Sequence, residues 1–163
     1  MELMTWLNTA PAGKFLFTML VSMLPIVELR GGIPFGVAGL GLPYAAAFWA
    51  AVMGNLIPAP LVIVYVRRVF RFLRRHLPRF GGMVDALEKK AHLKGRKVTR
   101  YKGLGLYLLV AIPLPGTGVW TGALVAAFLD IRLRRALPSI ILGVITAGLI
   151  MTGLTAVGVN MFA

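Results

Sequence analysis

Apolar residues fall in four stretches of this chain, about 14–40, 42–66, 104–131 and 136–162. A strongly basic stretch separates the second from the third. A helix needs about 20 mostly apolar residues to cross a bilayer. Leu42 to Val66 and Ala136 to Ala163 are long enough, which predicts transmembrane helices over 43–66 and 136–162. The other two stretches are interrupted. Pro113-Leu114-Pro115-Gly116-Thr117-Gly118 lies in the middle of the third, and so dense a cluster of proline and glycine breaks a helix. The remaining halves, roughly 104–112 and 119–131, are about 14 and 20 Å long, too short for a core of roughly 30 Å. In the first stretch, Lys14 to Val27 meets a similar interruption over residues 25–34, bounded by Pro25 and Pro34.

The order is therefore broken stretch, long helix, basic segment, broken stretch, long helix. Gly32-Ile33-Pro34-Phe35-Gly36 lines up with Gly118-Val119-Trp120-Thr121-Gly122, which marks the halves as repeats. The expected fold is an all-α integral membrane protein of one compact domain. It holds two inverted repeats, each a re-entrant helical hairpin plus a transmembrane helix. Repeat 1 covers 14–66 with its hairpin tip at 25–34, and repeat 2 covers 104–162 with its tip at 113–118. Leu3, Trp6 and Leu7 suit a short interfacial helix over 1–12. The first basic residue is Lys14 and Glu2 precedes it, which argues against a cleaved signal peptide.

Charge decides the number of crossings. Of 18 Lys and Arg residues, 13 lie between Arg67 and Lys102. If all four stretches crossed, Arg132, Arg134 and Arg135 would face the side opposite that basic segment, against the positive-inside rule. If both broken stretches enter and leave by one face, all these residues are cytoplasmic and both termini lie outside. The formal charge of +13 sits beside apolar spans, so the expected partners are anionic lipid headgroups and not nucleic acid. Segment 67–102 reads as two amphipathic helices. The first carries Val69, Phe70, Leu73 and Leu77 on one face and ends at Pro78 and Gly81-Gly82; the second spans Met83 to Lys94. The simplest role for both is a surface-lying anchor on anionic lipid.

Composition and chemistry narrow the function. The chain is 58% hydrophobic, has a mean hydropathy of +0.82, and lacks cysteine. Disulfides and thiolate metal sites are therefore excluded. No nucleophile has a His and acid partner, no phosphate loop is present, and His76 and His92 lack metal-ligand neighbours. Neither an enzyme, a cofactor nor a metal is expected. Glu28 and Arg30 are the only charged residues between Lys14 and Arg67. Ionisable groups at membrane depth usually line a pathway or pair with each other. Arg30 can hold a phosphate or carboxylate bidentately, and Gly31 and Gly32 would let backbone N–H groups approach the same anion. Glu28 can take up and release a proton, or face a cationic substrate. At the second tip, Thr117 offers the side-chain hydroxyl, between Gly116 and Gly118; a purely conformational turn explains these residues equally well.

Ala46, Ala50 and Gly54 form one small-residue face, and Gly148, Thr152 and Ala156 another. Such faces can pack hairpins within one chain or join two chains as a homodimer. Asn55 reads as interhelical glue or as a hydrogen-bond partner for a hairpin. Pro58 and Pro60 predict a kink or an unwound point in the first long helix.

The runs Pro-Ile-Val-Glu-Leu-Arg-Gly-Gly-Ile-Pro (25–34), Gly-Asn-Leu-Ile-Pro (54–58) and Pro-Leu-Pro-Gly-Thr-Gly-Val-Trp-Thr-Gly (113–122) resemble the prokaryotic small multidrug export membrane proteins, over about 14–160. That resemblance implies efflux. A more distant similarity is to the DedA superfamily, whose members have two re-entrant hairpins in inverted repeats and are implicated in moving polyprenyl phosphate lipids. The chain departs from the DedA pattern near Thr117 and Gly118, where those proteins carry a hairpin arginine. Three functions follow as expectations. One is proton-coupled transport of an anionic amphiphile such as a polyprenyl phosphate, bound by Arg30. Another is small-molecule efflux through Glu28. The last is a membrane scaffold acting through its basic surface.

Overall fold

The computed structural model describes residues 10–76, 102–114, 116–129 and 131–162, with isolated helical positions between 82 and 93. The expected interfacial helix falls outside the described residues as far as residue 9. So do Pro115 and most of the second amphipathic helix.

Among the described residues every regular element is helical. They are α1 (Pro11–Ser22), α2 (Glu28–Pro34), a π-helical turn (Phe35–Gly39), α3 (Tyr44–Leu56), α4 (Pro58–His76), α5 (Lys102–Ala111), α6 (Val119–Phe128) and α7 (Leu133–Phe162). Two helices are long and apolar enough to cross a membrane: Tyr44–Val66 with 23 residues and Leu133–Met161 with 29. At 1.5 Å per residue they are about 34 and 44 Å long, against a hydrocarbon core of roughly 30 Å. The 12 residues of α1 and the 10 each of α5 and α6 fall well short of that.

The chain divides into two compact units. One contains Met1–Pro58 with Val144–Ala163, the other Ala59–Gly143. Each unit thus has one broken-helix hairpin, the first part of the long helix that follows it, and the last part of the other long helix.

In the first unit α1, α2 and α3 pack on one another. Small residues allow the close approach. A methyl group on Gly36 would lie 3.0 Å from Thr18 Oγ1 and 3.1 Å from Ala47 Cβ. One on Gly32 would overlap Ser22 Oγ and lie 3.6 Å from Ala51 Cβ. Gly54 is pressed against the backbone carbonyl of Met19 in the same way. Ala47, Ala50 and Ala51 are fully buried. Further along the chain, Gly148 of α7 sits against the Phe48 ring, 2.7 Å from where its Cβ would be.

In the second unit α5 packs on α6, with Gly122 against Val110 and Leu106. Gly143 of α7 meets Val110 and the Tyr107 carbonyl, and Gly103 faces Ser139. The first long helix is interrupted at Ile57, just before Pro58, where the prolines predict it. It then runs on through Arg67 to His76. The amphipathic part read from Arg67 onward thus continues the same helix, since no breaker stands between Tyr65 and His76. His76 stacks on Phe72 at 4.3 Å, and its Nδ1–H donates to the Phe72 carbonyl at 3.2 Å.

Candidate functional site

The first hairpin turns over Met23–Val27. The Met23 N–H donates to the Met19 and Leu20 carbonyls, and the Leu24 N–H to the Val21 carbonyl. Pro25 lies in the exposed turn and Ile26 is 95% exposed beside it. The chain re-enters a helix at Glu28, whose N–H donates to Leu24 O at 2.9 Å. Glu28 has a φ of +49°, a conformation that L-residues other than Gly, Asn and Asp adopt rarely. Its cost is about 1–3 kcal/mol, and such strain concentrates at functional sites. Glu28 is also 5% exposed, a buried carboxyl at the start of a short helix.

Arg30 sits two residues further along α2 and is half-buried. Gly31 and Gly32 also have a part in packing, beside the anion cradle their spacing suggests. The Gly31 N–H already donates to Val27 O at 3.0 Å, and a side chain at Gly31 would strike Val27. Gly32 admits Ser22. Both glycines are needed for packing. Pro34 continues from α2 into the π-helical turn, so it does not end the element as a hairpin breaker would.

Two buried hydroxyls that sequence reasoning passed over line the same interface. Thr18 and Ser22 are fully buried, and donate to the carbonyls of Lys14 (2.9 Å) and Thr18 (2.8 Å). Their spacing of one helical turn, matched by Gly32 and Gly36, was the available signal. Asn55 ends the line. It is fully buried in the last turn of α3, and neither its Oδ1 nor its Nδ2 has a hydrogen-bond partner.

An open groove of about 750 Å³ lies in the first unit. Pro34, Val37 and Ala38 form one wall; Met151, Leu154 and Thr155 of α7 are on the other. Its volume suits a drug-sized molecule. The wall is mostly apolar, since the Thr155 hydroxyl is spent on Met151 O at 2.7 Å. Of the proposed packing face on α7, Gly148 accepts the Thr152 hydroxyl at 2.8 Å and Ala156 is partly buried. Ala46 is partly buried on α3.

The second tip, in the other unit, is closed by its own hydroxyls. Thr117 Oγ1 lies 2.8 Å from Ile112 O and 2.7 Å from Leu114 O. Thr121, another residue missed in the sequence, donates to Gly116 O at 3.1 Å. Gly116 and Gly118 have φ of +75° and +124°, which explains both glycines conformationally. Pro113 is partly buried in the turn. Among the described residues no cluster of His, Cys, Asp and Glu could hold a metal ion.

No curated protein and no solved structure matches the chain. Residues 28–150, from the strained glutamate into the last long helix, match the family described as "Putative small multi-drug export protein". The match covers most of the chain, so this membrane protein, with its two long apolar helices, belongs to the small multidrug export family.

Proposed function

We propose that the protein exports small, largely apolar molecules across a prokaryotic cell membrane, and that Glu28 couples this export to proton movement. The observation that carries the reading is Glu28 itself, a carboxyl buried on a strained backbone at a broken helix. Ionisable groups inside an apolar unit are costly, and they line a pathway or pair with one another there. The groove beside Pro34, on the same hairpin, gives a drug-sized molecule a place to sit. The family match supports export.

The architecture goes with this reading. Both hairpins are re-entrant, since their helices are too short to cross, and the two repeats are inverted. Support comes from the division of the chain. At the shift that carries Gly32 onto Gly118, Pro58 falls on Val144, one residue from the second division between the units. The basic segment then lies in the cytoplasm against anionic lipid, and both termini lie outside. Transporters of this plan bind their cargo where broken helices meet.

Transport of an anionic amphiphile such as a polyprenyl phosphate is the second reading. It rests on Arg30, half-buried on the same short helix. The engaged Gly31 N–H weakens the anion cradle that this reading needs.

The test is dye movement in proteoliposomes under a proton gradient. Glu28→Gln is expected to abolish movement of a lipophilic dye and Arg30→Gln to leave it intact. Full activity in Glu28→Gln would overturn the export mechanism. Loss in Arg30→Gln alone would transfer the reading to the anionic amphiphile.

A further inference from the structure

We infer that Asn55 faces Glu28, and that together with the carbonyl of Gly54 they form one buried site for a small monovalent cation, Na⁺ or a hydronium ion. The inference deepens the export reading, because Glu28 is its coupling residue.

The register comes from two contacts. Gly36 meets Ala47, and Gly32, one turn earlier in α2, meets Ala51, one turn later in α3. The two helices therefore run antiparallel, and one turn further along both lie Glu28 and Asn55. Residues 47, 51 and 55 share a helical face, and Glu28 opens the turn of α2 that leads to Gly32. The two buried polar side chains of α2 and α3 thus meet at one level.

The chemistry of that level favours a cation. Both amide atoms of Asn55 are buried and unbonded, and exchanging Oδ1 with Nδ2 leaves both so. A buried amide without partners is rare in native proteins and often marks an unmade bond to water, ion or ligand. The Gly54 carbonyl is deprived of its helical donor, because Pro58 has no N–H. Carbonyls released from helical hydrogen bonding bind coupling ions in other broken-helix transporters.

A single carboxylate with neutral oxygens suits one positive charge, whereas divalent ions draw several carboxylates. The other charged side chains described in this unit are Lys14, two turns beyond Ser22 on α1, and Arg30 on α2. Helix α3 and residues 144–162 contribute none.

The experiment measures the Tm of the full-length protein in detergent. One arm replaces N-methylglucamine chloride with NaCl at constant ionic strength and pH; the other acidifies a sodium-free buffer. Wild type is expected to gain a few degrees, saturably, with one of the two cations, since a ligand that binds only the folded state stabilises it. The responding arm identifies the ion. Glu28→Gln and Asn55→Leu should lose the response, while Asn55→Asp, which keeps an oxygen ligand, should retain it. No response in wild type, an unchanged response in Asn55→Leu, or none in Asn55→Asp would overturn the site. These outcomes are separate from those for export. A cation response with full export by Glu28→Gln keeps the site and removes the export mechanism; the reverse pattern does the opposite.

Discussion

The Cα of Gly54 on α3 lies directly against the backbone carbonyl of Met19 on α1. Neither atom belongs to a side chain that could swing away. Gly54→Ala should therefore force the two helices apart, at a cost of about 2–3 kcal/mol. Gly153→Ala is the control. Nothing lies within 4 Å of that position, so better helix propensity should leave the protein unchanged or up to about 1 kcal/mol more stable. Thermal unfolding of both variants in detergent checks the pair. Equal Tm values would mean that the contact has been misread.

Glu28 separates function from stability. Its φ of +49° suits glycine better than glutamate. Glu28→Gly should relieve about 1 kcal/mol of backbone strain and yet abolish export. A protein that is both less stable and inactive would make Glu28 a structural residue. Tm and dye transport on the same preparation decide the matter.

Gly158 lies on α7 beside the groove, with nothing within 4 Å of its missing Cβ. Gly158→Leu should fill part of the groove without a clash. Export of bulky dyes should fall several-fold while the Tm stays within about 1 kcal/mol of wild type, as for a surface change. Unaltered export of every dye tested would move the cargo site elsewhere.

At the second tip Thr117 holds the turn through the carbonyls of Ile112 and Leu114. Thr117→Ser keeps the hydroxyl and should be neutral. Thr117→Val should cost about 1 kcal/mol, the usual worth of such a bond. If both variants unfold alike and only transport differs, the hydroxyl contacts cargo and the turn does not depend on it.

The topology can be tested with a chain that has no cysteine of its own. Gly41 and Arg134 are both exposed. Cysteines introduced there should react with an impermeant reagent from opposite sides of the membrane. Labelling from the same side would refute the re-entrant hairpins.

Pattern alone carried much of this. Runs such as Tyr44–Val66 and Leu133–Met161 are long and apolar, and length and hydropathy are local properties that any window of sequence displays. The break before Pro58 was equally legible, because proline removes a donor wherever it stands. Glu28 and Arg30 stood out as charges in an apolar field. The family, too, was visible in the runs around 25–34, 54–58 and 113–122.

Tertiary structure decided what those residues do. Gly31 and Gly32 read as an anion cradle, and only the neighbours Val27 and Ser22 show that packing uses them as well. Thr18 and Ser22 are unremarkable in an apolar stretch until two other helices bury them. The meeting of Glu28 with Asn55 depends on the register of α2 against α3, which Gly32 and Gly36 set by letting Ala51 and Ala47 approach. Spans and breaks follow from local composition, but a site made from two helices depends on which faces pack, and that is settled by contacts between residues far apart in the chain.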